Sequence, residues 1–263
     1  MKIALGIEYD GSQFCGWQMQ KHGTRTVQEA VENALSVVAD EPVQVICAGR
    51  TDTGVHATGQ VVHFEASSER PEKAWVLGVN THLPDDVASV WVRSVGDDFS
   101  ARFSATARQY RYVILNRKAR PAVLHNKVSW RHGEIDEQLM HQAAQALIGE
   151  QDFSSFRSSA CQAEHARRNV HFINVHRKGD FVYIDIKANA FLHHMVRNIV
   201  GSLLMIGQQE KPVEWMGELL NTQDRTQAGP TAPAEGLYLV KVTYPEQYAF
   251  PEKVQMPEFI VSL

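Results

Sequence analysis

The chain opens on an alternation of apolar and other residues. In "KIALGIEYDG" that alternation ends at Asp10-Gly11, which reads as a strand entering a turn. The period then changes. In "TVQEAVENALSVVAD" the residues Val27, Ala30, Val31, Ala34, Leu35 and Val38 recur at helical spacing, and Thr26 with Glu29 makes a capping box. "VQVICAG" (43–49) and "QVVHFEA" (60–66) read as strands around a loop rich in Gly and Thr. "PEKAWVLGVNTHL" predicts a helix starting at Pro71, and "VASVWVRSV" a strand.

The second half follows a similar plan. "RQYRYVILN" is a strand with Tyr110, Tyr112 and Ile114 on one face, and "DEQLMHQAAQALIG" a helix closed by Gly149. Residues 169–191 form two strands joined through Lys178-Gly179-Asp180. "LHHMVRNIVGSLLMIG" and "PVEWMGELLN" are helices, and "GLYLVKVTY" a last strand. The order is β-α-β-β-α-β, then β-α-β-β-α-α-β. Consecutive strands pair antiparallel and helices fall between them, so the class is α+β. Two similar α+β halves are expected, residues 1–104 and 105–263, forming a central basic cleft.

Composition is that of a globular protein, with 44% hydrophobic and 21% charged residues among 263. Five uncharged residues between Lys2 and Glu8 are too few for a signal peptide, and no run approaches the roughly 20 apolar residues of a membrane span. Three widely spaced cysteines (Cys15, Cys47, Cys161) fit free thiols in a reducing cytoplasm. A net charge of −4 argues against a non-specific nucleic-acid binder, but its distribution does not. Residues 99–133 carry Arg102, Arg108, Arg111, Arg117, Lys118, Arg120, Lys127 and Arg131 with no acidic group. Residues 157–178 carry Arg157, Arg167, Arg168, Arg177 and Lys178 against Glu164 alone. Such segments are solvated faces or a groove for phosphates; interleaved Phe99, Phe103, Tyr110, Tyr112 and Trp130 favour the groove.

Asp52 stands in "AGRTDTGVHATG", two residues after Arg50. It is a turn residue or a functional carboxylate, and an adjacent guanidinium keeps it ionised for either nucleophilic or base chemistry. Arg197 lies in an otherwise nearly all apolar helix, where a cation needs a partner or an escape to the helix edge. Tyr110 is a sheet-face aromatic or a stacking platform. The twelve histidines form no metal-binding spacing; His193 and His194 are expected on different helix faces, and no metal site is expected. Nucleotide-hydrolase, dinucleotide and serine-hydrolase motifs are absent from the sequence.

"CAGRTDTGVHATGQVVHF", "YDGSQFCGWQMQ", "FSARFSATARQYRYVI", "FLHHMVRNIVG" and "GPTAPAEGLYLVKVTYP" resemble, in order, segments of the tRNA pseudouridine synthase A (TruA-type) family. The resemblance spans nearly the whole chain. It implies Asp52 as the nucleophile of uridine isomerisation, Tyr110 stacked on the target uracil, and Arg197 paired with Asp52. Arg50 would hold the flipped nucleotide or fill its place. It implies uridines at tRNA positions 38, 39 and 40 as substrates, a homodimer, and no metal or cofactor. RNA contacts would come from Phe99, Ser100, Arg102, Phe103, Arg108 and Arg111, and from Cys161, Gln162, Arg167 and Arg168. The alternative is a non-catalytic RNA-binding or folding protein using the same basic cleft.

Overall fold

The computed structural model describes residues 1–20, 23–251, 256 and 257. The chain divides into two compact units, Met1–Thr106 with Tyr238–Leu263, and Ala107–Leu237. The division falls two residues beyond the expected one, and the last strand belongs with the first unit instead of the second. Periodicity identifies a strand but not its sheet, so this return is invisible in the sequence.

The first unit holds strands β1 (Lys2–Tyr9), β2 (Ile46–Cys47), β3 (His56–Glu65) and β4 (Val87–Val95), and helices α1 (Val27–Ala39) and α2 (Glu72–His82). β1 lies antiparallel between β3 and β4. The final strand pairs parallel with the start of β3 through Tyr238 and His56. Thr26 caps α1 as expected, its hydroxyl accepting from the Glu29 N–H at 3.4 Å. Pro71 is the residue before α2, not its first turn. The strand expected over 43–49 shrinks to two residues. The Val43 and Val45 N–H groups donate instead to α1 side chains, Ser36 Oγ at 2.9 Å and Glu32 Oε1 at 3.0 Å. Both valines stay buried against the helix while their donors leave the ladder.

The second unit holds strands β5 (Ala107–Asn116), β6 (Ser129–Arg131), β7 (Gly149–Asp152), β8 (Arg167–Lys178) and β9 (Phe181–Ala188), and helices α3 (Glu137–Ala144), α4 (Met195–Gly207) and α5 (Trp215–Thr222). Its sheet runs β5-β9-β8-β7, with β6 parallel on β5. Gly149 does not close α3; the helix ends in a turn at Gln145–Leu147 and Gly149 begins β7. Strands of three and four residues, such as β6 and β7, are too short for alternation to register.

Arg111 and Asp185 are direct partners across β5 and β9. Arg111 donates from Nε and Nη2 to the two carboxylate oxygens at 2.7 and 2.8 Å, and its guanidinium lies 4.8 Å from the Tyr183 ring centre. Both residues are buried, so removing one partner strands a charge in the sheet. Asp185→Ala is expected to destabilise the protein by about 3 kcal/mol in chemical denaturation. Arg111→Met with Asp185→Leu should recover most of that loss.

Candidate active site

In the first unit, β2 delivers the chain to a loop that ends where β3 begins. The loop is held mainly through its backbone. Gln60, fully buried on β3, donates its amide to the Gly49 carbonyl at 2.6 Å. The Tyr9 and Thr51 hydroxyls share a buried hydrogen bond of 2.7 Å. The Thr51 carbonyl accepts from the Trp17 N–H at 3.0 Å, and the Asp52 carbonyl from the Val55 N–H at 3.1 Å. Asp52 is thereby set half-buried at the turn, with Arg50 exposed beside it.

The grip comes from the segment after β1. Gly16 has φ of 86°, and a Cβ there would sit 2.9 Å from the Thr51 carbonyl oxygen and 3.2 Å from the Asp52 carbonyl carbon. The same segment satisfies the start of α1: the Val27 and Gln28 N–H groups donate to the Gly16 and Trp17 carbonyls at 3.2 and 3.0 Å. The guanidinium of Arg25 lies 4.0 Å from the Phe14 ring centre and forms a two-pronged pair with Asp86, both contacts 2.7 Å. One main-chain network thus links the Asp52 loop to a helix terminus. At the far end of the loop, His56 stacks on Tyr238 at 4.5 Å between ring centres. Burial holds the Tyr238 hydroxyl well above its ordinary titration range. Cys47, buried at the loop's entrance, has its thiol pushed up to about 12 by desolvation, which makes it inert.

In the second unit, Tyr110 on β5 is buried, with Phe191 edge-on at 5.0 Å. Arg108 donates to the Asn189 carbonyl at 3.1 Å. Both contacts fall on residues 189–194, the connection from β9 into α4. His194 ends that connection with φ of 61°, and α4 begins only at Met195. His193 and His194 therefore do not take separate helix faces; their rings lie 4.0 Å apart.

Arg197 is half-buried in the first turn of α4. It is aimed by a strap that sequence reasoning missed, "GPTA" at 229–232. Arg197 Nε donates to the Ala232 carbonyl at 2.7 Å, and the Ala232 N–H donates to the Arg197 carbonyl at 3.1 Å. The Thr231 hydroxyl donates to Asn198 Oδ1 at 2.7 Å, and Arg225 donates to both side chains. The Ser202 hydroxyl accepts from the Gly229 N–H at 3.0 Å. Asn198 and Ser202, four apart in an apolar helix, were the available signal of a polar seam. The strap lies so close that a Cβ on Gly201 would be 1.7 Å from the Pro230 carbonyl oxygen. Gly201→Ala is expected to cost about 3 kcal/mol by overpacking. Its turnover should fall about tenfold as Ala232 shifts under Arg197, read from thermal melts alongside activity.

The residues expected at RNA divide by exposure. Arg102 and Phe103 are exposed, Phe103 by 79%, with the Arg102 guanidinium 5.2 Å from its ring centre. Gln162 and Arg167 are exposed; Ser100, Arg108 and Cys161 are half-buried. Phe99 and Arg111 require correction. Phe99 is 1% exposed and packs among His63, Tyr244, Tyr248 and Phe250, and Arg111 is turned inward on Asp185. A charged or aromatic residue on a strand faces solvent or core according to its partners, which local pattern does not give. Arg168 is largely buried, donating to the His165 and Arg167 carbonyls at 3.0 and 2.6 Å, with its Nε unpartnered. Desolvation lowers its pKa from the ordinary arginine range. Among the described residues, no helix is long and apolar enough to cross a membrane.

Residues 6–104 and 143–245 match the family model described as tRNA pseudouridine synthase. The chain is 60% identical over 252 residues to tRNA pseudouridine synthase A of Hydrogenovibrio crunogenus, covering 96% of each chain. It is 60% identical over 262 residues to tRNA pseudouridine synthase A of Shewanella baltica, covering all of both. Among solved structures, a Cbf5-Nop10-Gar1 complex aligns at 12% identity and a TM-score of 0.37, over 90% of this chain and 48% of that one.

Proposed function

We propose that this chain, which belongs to the tRNA pseudouridine synthase family and is an isomerase, converts uridine to pseudouridine at positions 38, 39 and 40 of the tRNA anticodon arm. Pseudouridine formation breaks the N1–C1′ bond, turns the uracil, and rejoins it through C5, whose hydrogen leaves as a proton. Nothing is oxidised or reduced and no group is added, so the reaction consumes no co-substrate.

In this reading Asp52 is the nucleophile, attacking either C1′ of the ribose or C6 of the ring, and is expelled when the new bond is complete. The target base leaves its stack at a cost of a few kcal/mol. Tyr110 offsets part of that cost by stacking, and Arg50 occupies or guards the place the nucleotide vacates. Arg197 serves the Asp52 carboxylate, as the family resemblance implies. The tRNA is held by Ser100, Arg102, Phe103, Arg108, Gln162 and Arg167, with Arg168 and Cys161 behind them. The enzyme acts as a homodimer in the cytoplasm.

The observation that supports this reading best is the Asp52 loop itself. Its backbone is fixed from three sides while the half-buried Asp52 stands at the turn, an arrangement suited to presenting one reactive group. Treating unmodified tRNA transcript with the protein and mapping pseudouridine along it tests the proposal. Product at 38, 39 or 40 is expected. RNA binding with no change in nucleoside content would leave only the non-catalytic alternative.

A further inference from the structure

Beyond Asn116, β5 gives way to "RKARPAVLHNKVSWRH", residues 117–132. This stretch holds Arg117, Lys118, Arg120, Lys127 and Arg131 and no acidic residue, while Glu134 and Asp180 are exposed at its base. Elsewhere in the protein Arg25, Arg93, Arg111 and Arg177 each contact a carboxylate. Here the pattern differs. Among the described residues no carboxylate lies within ion-pair distance of Arg117, Lys118, Arg120 or Arg131. Arg117 Nε donates to the Ala119 carbonyl and Arg131 Nη1 to the Trp130 carbonyl, both at 3.0 Å.

The stretch is also well braced. The Arg117 N–H donates to the Arg131 carbonyl at 3.2 Å, and Trp130 Nε1 to the Arg117 carbonyl at 2.9 Å. Turns close at Ala122–His125 and Leu124–Lys127, and Pro121 and Val128 are buried beneath. Trp130 and His132 stack with ring centres 5.7 Å apart. The cations therefore stand on a fixed frame, which lowers the ordering cost of binding.

We propose that residues 117–132 are a docking surface for RNA backbone, gripping substrate phosphates remote from the reacting nucleotide. The proposal rests on the tRNA reading above. Asn116 lies six residues along β5 from Tyr110, roughly 20 Å at the rise of a strand. RNA touching this tip is thus several nucleotides from the base stacked on Tyr110. Guanidinium forks fit phosphate geometry, and unpaired exposed cations release counterions from RNA without first breaking an internal pair. The surface positions and tightens; it carries no chemistry.

The test is the triple variant Arg117→Ala, Lys118→Ala, Arg120→Ala. All three side chains are exposed, so thermal melts should match wild type. Binding of full-length tRNA is measured by fluorescence anisotropy across a salt series, separately from turnover. Affinity is expected to fall about tenfold, and the slope of log K against log salt to flatten by about 2. Turnover at saturating tRNA should stay within about twofold of wild type. Arg117→Lys with Arg120→Lys should retain most of the affinity, since charge is kept. Unchanged affinity and slope would overturn the proposal and leave the tip for an acidic protein partner or for solvent. So would an equal loss of turnover at saturation. Because binding is read directly, a wild-type protein that binds tRNA without forming pseudouridine would refute the functional reading alone.

Discussion

Asp52→Asn is expected to abolish pseudouridine formation, a loss of at least about 10⁴-fold, as removal of a covalent nucleophile does. The amide is isosteric but cannot attack carbon. The fold should survive because the loop's placement depends on other groups: the Thr51 and Asp52 carbonyls, the Tyr9–Thr51 hydroxyl pair, and Gln60 on Gly49. Stability should lie within about 0.5 kcal/mol of wild type. Tritium release from tRNA labelled at uracil C5 reads the chemistry, and anisotropy reads binding, which should persist. Release at a tenth of the wild-type rate or more would remove Asp52 from the role of nucleophile.

Arg197→Ala should be the next most damaging change, lowering turnover about 10³-fold if the residue serves the Asp52 carboxylate as proposed. tRNA affinity should change by less than about threefold, since the residue is proposed to serve a carboxylate and not phosphates. The side chain is aimed through one fork of its guanidinium, Nε on the Ala232 carbonyl. Arg197→Lys places a charge nearby without that fork and should restore only part of the rate. Parallel loss of affinity and turnover in both variants would identify Arg197 as an RNA contact instead.

The candidate site could be picked out in the sequence to different depths. Asp52 stood out because an arginine, two threonines and two glycines exceed what a turn requires, and Arg197 because it interrupts an apolar helix. Thr26 and Glu29 announced the start of α1 correctly. What could not be read was long-range. Nothing local says that residues 229–232 lie across α4, or that Gly16 packs on the Asp52 backbone. Arg111 and Phe99 look like surface residues because a basic strand and an aromatic turn suggest RNA. Their partners, Asp185 and the Tyr244–Phe250 cluster, are distant in sequence. His193 and His194 were misjudged by extending a helix one turn too far toward its start; a left-handed residue ends the helix where periodicity would continue it.

The return of the last strand to the first unit has a consequence for synthesis. Residues 107–237 are contiguous, so the pairing of β5, β9, β8 and β7 needs no later part of the chain. The first unit, though made earlier, waits for Tyr238 and Leu239 to pair with His56 and Ala57, 182 residues upstream, and long-range closures of this kind form late. His56 follows the Asp52 loop by a few residues and stacks on Tyr238. A chain truncated before Tyr238 therefore loses the parallel pairing at the start of β3 and the ring stacked on His56, while the contacts that hold the Asp52 loop itself remain available.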